Sequence, residues 1–510
     1  MLATTVGGRH DGSMPTPSDD GTPKVAPAAA TRATKADPAA ATRATKADPA
    51  AATRATKAGP APATRATKAD PARRGARSRG GASTPGAPEA PAARSLEEWG
   101  TGRRSEGWPP PWRGPLGGRR SFYDRRAQRR VEHWSLAARA LSRLLARPDG
   151  LLRLLGETEP REVDGRVLNR SLQAMLAVSS RVGSLAVGGP GAEGTFEPAA
   201  MRAQLRRMAT FAMPARTDVH AAGRSFTGPS GAPLALRTYR RFGTGLGGGG
   251  HAAQPGIAFF HGGGWVMGDL DSHDGSCRLL AAVTGCVVVA VDYRLAPEAP
   301  FPAAVEDALA AYGWIHAHAE ELGIAAGQVA VMGDSAGGTL AAVVAQQTRS
   351  GAVGAGARPA PAPPPVAQVL VYPALDTRLE SASMTAFGDG FFLTRPAMEY
   401  FRSAYLPDPA TWADPLAAPL FAEDVSGLAP ALVVTAGFDP LHDDGEAYAA
   451  RLAAAGVEVE HRCYPDQVHG FFGMGIAPDS LALSTEVCDA AGRLVRRSAG
   501  AEEARRARRG

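Results

Sequence analysis

Hydrophobic positions change their spacing twice along the chain. Up to about residue 120 they have no period at all: Ala, Pro, Gly, Thr and Arg dominate and aliphatic clusters are almost missing. Between 130 and 155, Trp134, Ala137, Leu141, Leu144 and Leu145 recur three and four apart, accompanied by Arg130, Arg139, Arg143 and Arg147. That is the spacing of one helix face. A basic amphipathic helix can lie on a membrane surface; the simpler expectation is a stripe packed on the domain beside it. Helical patterns follow at 166–182, with Leu168, Leu172, Met175, Leu176 and Ser179 on one side, and at 198–213. Both precede the first strands, so they are available to fold over a sheet as a lid.

The period then shortens. Residues 217–226 and 233–239 read as strands joined by Gly228-Pro229-Ser230-Gly231, a connection suited to an antiparallel hairpin. Apolar runs at 256–260, 286–293, 328–332, 367–372, 431–435 and 457–464 then alternate with helical stretches at 271–283, 302–320, 336–348, 443–455 and 478–496. Alternation of this kind specifies a largely parallel sheet with helices on both faces and right-handed crossovers. The expected fold class is therefore α/β, with eight strands and an exposed Pro-rich loop at 357–365.

Composition divides the 510 residues at the same place. The first 120 residues cannot bury enough apolar surface to offset their chain entropy, which predicts a disordered tail. Within it Thr-Arg-Ala-Thr-Lys begins at Thr31, Thr42, Thr53 and Thr64, with Pro38, Pro49 and Pro60 between the copies. The prolines stop any helix early, so this is low complexity and not a solenoid. The tail carries twenty Lys/Arg and ten Asp/Glu, a net of +10, which leaves the rest of the +6 chain at about −4. Its charge would attract anionic surfaces loosely; a solvated extension without a specific nucleic-acid partner is the plainer expectation. No secretory signal and no run of eighteen apolar residues is seen. Cys277, Cys286, Cys463 and Cys488 lack C-x-x-C spacing and sit in or beside apolar segments, which fits buried thiols of a cytoplasmic protein.

Two glycine motifs carry the chemistry. Gly333-Asp334-Ser335-Ala336-Gly337 follows the apolar run Val329-Ala330-Val331-Met332. This is G-x-S-x-G, in which a serine on a sharp strand-to-helix turn projects its hydroxyl from the top of a parallel sheet. His261-Gly262-Gly263-Gly264-Trp265 follows Ile257-Ala258-Phe259-Phe260 and would aim backbone N–H groups at the charge that develops on a tetrahedral oxygen. Each motif alone is weak in a glycine-rich chain; their order and context make the pair specific. By contrast, Gly243-Thr244-Gly245-Leu246-Gly247-Gly248 matches a dinucleotide pattern but is followed by more glycine and a strand, with no helix to hold a pyrophosphate.

A serine needs an imidazole to take its proton, and the imidazole needs a carboxylate to fix its tautomer. On such a sheet the partners follow in the order acid, then histidine. The acid candidate is Asp439, directly after the strand at 431–435, with Asp443, Asp444 and Asp466 as competitors; the base candidate is His469, after the last strand. His316 and His318, two apart on a helix, point to different sides, and His442-Asp443-Asp444 continues the Asp439 motif, so no metal site is expected.

The set HGGGW at 261–265, Asp292-Tyr293-Arg294-Leu295-Ala296-Pro297-Glu298, GDSAG at 333–337, Asp439-Pro440-Leu441 and His469-Gly470-Phe471 resembles the bacterial α/β hydrolases related to hormone-sensitive lipase. The resemblance spans about 161–496 and leaves the tail uncovered. It implies Ser335 as nucleophile, His469 as general base and acid, Asp439 as its orienting partner, and the N–H groups of Gly263, Gly264 and Ala336 as oxyanion hole. It further implies a carboxylesterase for short- to medium-chain acyl esters, without cofactor, and a cap at about 161–213 and 376–421. The hydrolase domain is expected at 121–496, followed by a disordered charged end at 497–510. Trp265, Phe391, Phe392 and Tyr400, with Phe401 and Tyr405, are aromatic candidates for the substrate pocket. The chain departs from the family's Asp-Pro-Leu-Arg-Asp-Glu-Gly at His442 and Asp444, both past the acid. An amidase or lactonase with the same triad, or a binding protein on the same scaffold, are the alternatives. The residues leave oligomeric state, a homodimer included, open.

Overall fold

The computed structural model describes residues 132–182, 196–243, 253–349, 362–508, all within the unit Pro91–Gly510. The low-complexity tail, most of the glycine-rich decoy and most of the Pro-rich loop lie outside the described residues.

Eight strands form one sheet: β1 (Val219–Thr227), β2 (Pro233–Arg241), β3 (Gln254–Phe260), β4 (Val287–Asp292), β5 (Ile324–Asp334), β6 (Gln368–Val371), β7 (Ala431–Phe438) and β8 (Val459–Val468). Their spatial order is β1-β2-β4-β3-β5-β6-β7-β8. The first two pair antiparallel with each other, β2 pairs antiparallel with β4, and all remaining neighbours are parallel. The sheet is thus mostly parallel, as the alternation implies.

The helices are α1 (Leu136–Leu145), α2 (Pro148–Leu154), α3 (Arg170–Val182), α4 (Pro198–Ala212), α5 (Asp274–Thr284), α6 (Ala303–Ala317), α7 (Ala336–Gln347), α8 (Ala382–Phe387), α9 (Arg395–Tyr405), α10 (His442–Ala454) and α11 (Pro478–Ala507). Period-two alternation within β3 sorts them into two layers. Ala258 and Phe260 pack with α6, α7 and α10. Ile257 and Phe259 pack with α5 and α11. Both faces of the central strands are covered, which is why they read as continuous apolar runs.

Four differences from the expected elements have local causes. The single pattern at 130–155 is two helices, because Pro148 occupies the first turn of α2. The pattern at 166–182 starts as a helix only at Arg170: Glu162–Val163 and Arg166–Val167 form a small hairpin whose turn residues Asp164 and Gly165 have φ of 51° and 71°. Asp-Gly is a favoured turn pair for that geometry. At the other end, 497–507 is helical and not disordered, since α11 runs unbroken to Ala507. Glu502 pairs with Arg506 one turn on, and Arg506 Nη1 donates to the Ala326 carbonyl at 2.9 Å, tying the charged end to the domain. Finally, the stripe in α1 packs only in part: Leu145 is buried and Trp134 packs against the same cluster, while Leu141 is 42% and Leu144 46% exposed. Ala138, outside the stripe, joins Leu145 on the buried side, and Leu136, also outside it, is 84% exposed.

The HGGGW motif, Ser335, Asp439 and His469 all follow the carboxyl ends of parallel strands, β3, β5, β7 and β8 respectively. In open α/β sheets that edge is where ligands bind.

Candidate active site

Ser335 is the one residue between β5 and α7, and its backbone is forced into an uncommon conformation, φ 55° and ψ −122°. A side chain at positive φ costs roughly 1–3 kcal/mol and persists only where the surroundings determine it. Here they do: the Ser335 N–H donates to the Val371 carbonyl at 2.9 Å, and its carbonyl accepts from Gly338 N–H at 2.9 Å. The flanking glycines are steric requirements. A Cβ at Gly333 would lie 2.1 Å from the Gly337 carbonyl oxygen, and one at Gly337 would lie 2.0 Å from the Phe260 oxygen.

The structure brings Ser335, His469 and Asp439 together across 134 and 30 residues of chain. Ser335 Oγ is 3.0 Å from His469 Nε2, and His469 Nδ1 is 2.8 Å from Asp439 Oδ2. The other carboxylate oxygen, Oδ1, accepts from the Leu441 N–H at 2.8 Å, so Asp439 is buried yet partnered on both oxygens. With Nδ1–H donating a hydrogen bond to the carboxylate, Nε2 is the ring nitrogen left to accept from the serine. The Tyr372 ring backs the imidazole at 4.6 Å. The competing acids serve elsewhere: Asp443 accepts from Ser383 N–H, Asp444 from the N–H groups of Leu375 and Asp376, and Asp466 from Asn169.

The glycine loop after β3 is held in place from two sides. Gly263 has φ 121° and Gly264 φ 61°; a Cβ on the first would meet the Met267 carbonyl oxygen at 2.2 Å, and on the second the Phe401 ring at 2.4 Å. The Gly263 carbonyl accepts from Val266 and Met267. Among the described residues no protein acceptor takes the N–H groups of Gly263, Gly264 or Ala336, the last lying in the first turn of α7, whose amides have no helical partner. Arg202 on α4 braces the far end, donating to the carbonyls of Val266 and Ala296 and to Glu298.

Asp334, beside the nucleophile in the elbow motif, sends its side chain across to the other motif. Its Oδ1 accepts from Gly262 N–H at 3.0 Å, and a Cβ on Gly262 would sit 2.4 Å from Oδ2. One buried carboxylate thereby sets the distance between the nucleophile's turn and the glycine loop. Burial alone would raise its pKa, but His273, His261 and the Gly262 amide outweigh that and hold it below the usual value. Only a three-dimensional contact between residues 72 apart reveals this role.

His261, unassigned by sequence, is a packed histidine. It stacks on Tyr293 at 4.3 Å, and Tyr293 Oη donates to the His261 carbonyl. Burial, with the neighbouring charge of His273, pushes its pKa down to about 4. The unfolded value is about 6.5, so between these limits the unfolded chain binds the extra proton. Stability from the neutral imidazole is complete above pH ~6.5 and is lost as the pH falls toward 4. We expect the melting temperature to drop over that interval and the drop to be shallower in His261→Gln; equal slopes would remove His261 from the balance.

The aromatic candidates do not form one wall. Trp265 is buried and stacked on Tyr405 at 4.7 Å. Phe391 and Phe392 pack with Phe387 and Phe438 beneath Leu168, Leu172 and Leu176 of the 161–213 segment. Tyr400 stacks on Phe196 at 4.6 Å. Phe401, on α9, is the ring that lies against Gly264. The two proposed cap segments therefore meet over Phe438 and Val468, the residues immediately before Asp439 and His469.

Residues 257–473 match a family model described as alpha/beta hydrolase fold. A carboxylic ester hydrolase of Mycobacterium tuberculosis, LipN, is 45% identical over 317 residues, 61% of this chain and 79% of the relative. An ethyl acetate hydrolase of Pseudomonas putida is 43% identical over 43% of this chain and 66% of its own length. The chain belongs to the hormone-sensitive-lipase-like α/β hydrolases. Among solved structures, the ester hydrolase EH1AB1 from the Lake Arreo metagenome, complexed with a bipyridine phosphonate derivative, superposes with a TM-score of 0.56 at 37% identity, covering 64% of this chain and 97% of that one. A thermostable esterase from Pseudomonas putida ECU1011 gives 0.57 at 32% identity, covering 64% and 95%.

The hydrolase's departures at His442 and Asp444 belong to networks behind the acid. His442 is buried, its Nδ1 2.9 Å from the Ala436 carbonyl and its Nε2 3.1 Å from Arg166 Nη2 and 3.2 Å from Glu446. Arg166 also donates to the Gly437 carbonyl at 2.6 Å and lies over the Phe387 ring. The hairpin at 162–167 is thus pinned to the strand end that carries Asp439. Among the described residues no three His, Cys, Asp or Glu side chains gather to hold a metal ion.

Proposed function

We propose that this carboxylic ester hydrolase works through an acyl-enzyme on Ser335. His469 Nε2 accepts the Ser335 proton as Oγ attacks the ester carbonyl. The N–H groups of Gly263, Gly264 and Ala336 bind the oxyanion, each donor being worth about 10²–10³ in kcat in such sites. His469 then returns the proton to the leaving alcohol, activates water, and the acyl group is released as the acid. Asp439 fixes the imidazole's tautomer throughout. The single observation carrying this reading is the hydrogen-bonded line Asp439–His469–Ser335; the amides of Gly263, Gly264 and Ala336, which have no acceptor among the described residues, support it.

No step requires a cofactor. The substrate is a small ester with a short to medium acyl chain, by analogy with the ethyl acetate hydrolase among the relatives. A cytoplasmic site of action is supported by four unpaired thiols, at Cys277, Cys286, Cys463 and Cys488; separately, among the described residues no helix is long and apolar enough to cross a membrane. Treatment with diethyl p-nitrophenyl phosphate should abolish turnover and leave one phosphoryl adduct, on Ser335 by peptide mapping. A p-nitrophenyl ester series graded from acetate to palmitate should give its highest kcat/KM at butyrate to octanoate. An adduct on any other residue, with activity lost, would overturn the assignment of the nucleophile.

A further inference from the structure

The outward face of α1 has no use in the chemistry above. At roughly 100° per residue, Leu136, Leu144 and Leu141 fall on one side of this helix, Arg139 and Arg143 lie four apart along its adjoining edge, and Arg147 follows in the link to α2. All six are exposed. The helix is anchored through the neighbouring side, beyond Leu141, where Ala138 and Leu145 pack with Ala174 and Ala177 of α3 and with Leu152 of α2. Ser135 caps its N-terminus, accepting from Ala138 N–H at 3.1 Å. In α2 the same theme recurs, with Leu154 82% exposed beside exposed Arg153. An ordinary surface helix turns its leucines inward and its charges outward; here both are held out on a rigid support. No carboxylate pairs with these four arginines among the described residues.

We propose that the α1–α2 face docks on an anionic lipid surface, with the leucines entering the headgroup boundary and the arginines meeting lipid phosphates. An apolar strip bordered by arginine is the composition that binds such interfaces. Charge decides against the other occupants. The chain's own first 120 residues carry net +10, and Arg125, Arg126, Arg129 and Arg130 come just before the helix, so this segment is repelled by the arginine edge and adds to attraction for the same anionic surface. A second copy of the chain would set arginine edge against arginine edge in a two-fold contact. Through α3 the docked face is continuous with the packing over Phe438 and Val468, which would put the proposed cap at the membrane where hydrophobic esters collect. The docking itself stands apart from the catalytic reading and is measurable on Ser335→Ala.

The test is flotation of the full chain with vesicles of phosphatidylcholine alone or with phosphatidylglycerol added. Wild type should float with the anionic vesicles only, and less as salt rises. Leu141→Glu/Leu144→Glu should lower partitioning by on the order of tenfold or more, and each of Arg139→Gln, Arg143→Gln and Arg147→Gln by about fivefold, all with unchanged melting temperature and p-nitrophenyl butyrate turnover. Three results would overturn the proposal: no preference for anionic vesicles; leucine variants that float like wild type, which would place binding in the tail; or self-association by sedimentation that the leucine variants abolish while vesicles are ignored. If the leucine variants do not fold, the arginine variants, which leave the packed side of α1 untouched, decide the matter alone.

Discussion

Ser335→Ala lowers kcat for p-nitrophenyl butyrate by on the order of 10⁴-fold or more, with KM and melting temperature close to wild type. The size follows from what remains. On the proposed mechanism, losing Oγ removes the acyl-enzyme, and His469 can at best assist water from a position set for a serine proton 3.0 Å away. The proposed oxyanion hole would still bind the carbonyl, which leaves the residual rate such sites show over water. The unchanged stability has its own reason. Alanine keeps the Cβ that already fits at φ 55°, and the backbone bonds to Val371 and Gly338 do not involve the hydroxyl. A fall in melting temperature that matched the fall in rate would mean that the serine holds the elbow together and does not attack. Rates within a few fold of wild type would remove it from the chemistry altogether. The measurement is steady-state turnover at fixed pH beside a thermal melt of the same preparation.

Much of this arrangement is legible in one dimension because the constraints are local. Gly333 and Gly337 declare the elbow, since only glycine permits carbonyl oxygens about 2 Å from where a Cβ would stand. Strands such as Val287–Asp292, buried on both faces, announce a covered parallel sheet by their unbroken apolar runs. Order along the chain then points to Asp439 and His469, because loops at the carboxyl ends of neighbouring strands must converge. What stays hidden depends on contacts between distant segments. Asp334 looks like part of a turn until Gly262 is seen 3.0 Å from its carboxylate. Arg166 looks like a helix residue until the Asp164-Gly165 turn points it at Gly437. Leu141 and Leu144 share the spacing of a buried stripe with α3, yet a helical period says only that a face exists, not which face the domain covers. The aromatic residues show the same limit: Phe391 and Phe392 pack against Phe438, while Phe401, equal to them by sequence, is the one against the glycine loop.

Asp439→Asn separates the proposed triad acid from its neighbours. Its amide keeps shape and volume, so the fully buried site suffers no cavity and the fold is expected to persist. The chemistry does not survive as well. Asp439 Oδ1 is already committed to the Leu441 N–H, so the asparagine carbonyl settles there and turns its NH₂ toward His469. The imidazole must then present an unprotonated Nδ1 and carry its proton on Nε2, facing Ser335 Oγ with a donor where an acceptor is needed. It also loses the negative charge that steadies its protonated form. A wrong tautomer of this kind costs about 10⁴-fold in kcat. Asp443→Asn, Asp444→Asn and Asp466→Asn should each keep kcat within about tenfold of wild type, because their carboxylates accept from Ser383, from Leu375 and Asp376, and from Asn169, and none touches the imidazole. The discriminating measurement is the pH profile of kcat. Asp439→Asn should recover activity as hydroxide rises, when deprotonation of Ser335 no longer depends on Nε2, whereas a variant that only loosened the fold would lose activity evenly across the range. If Asp444→Asn gave the deep loss and Asp439→Asn the shallow one, the acid would lie on α10 and not at the end of β7.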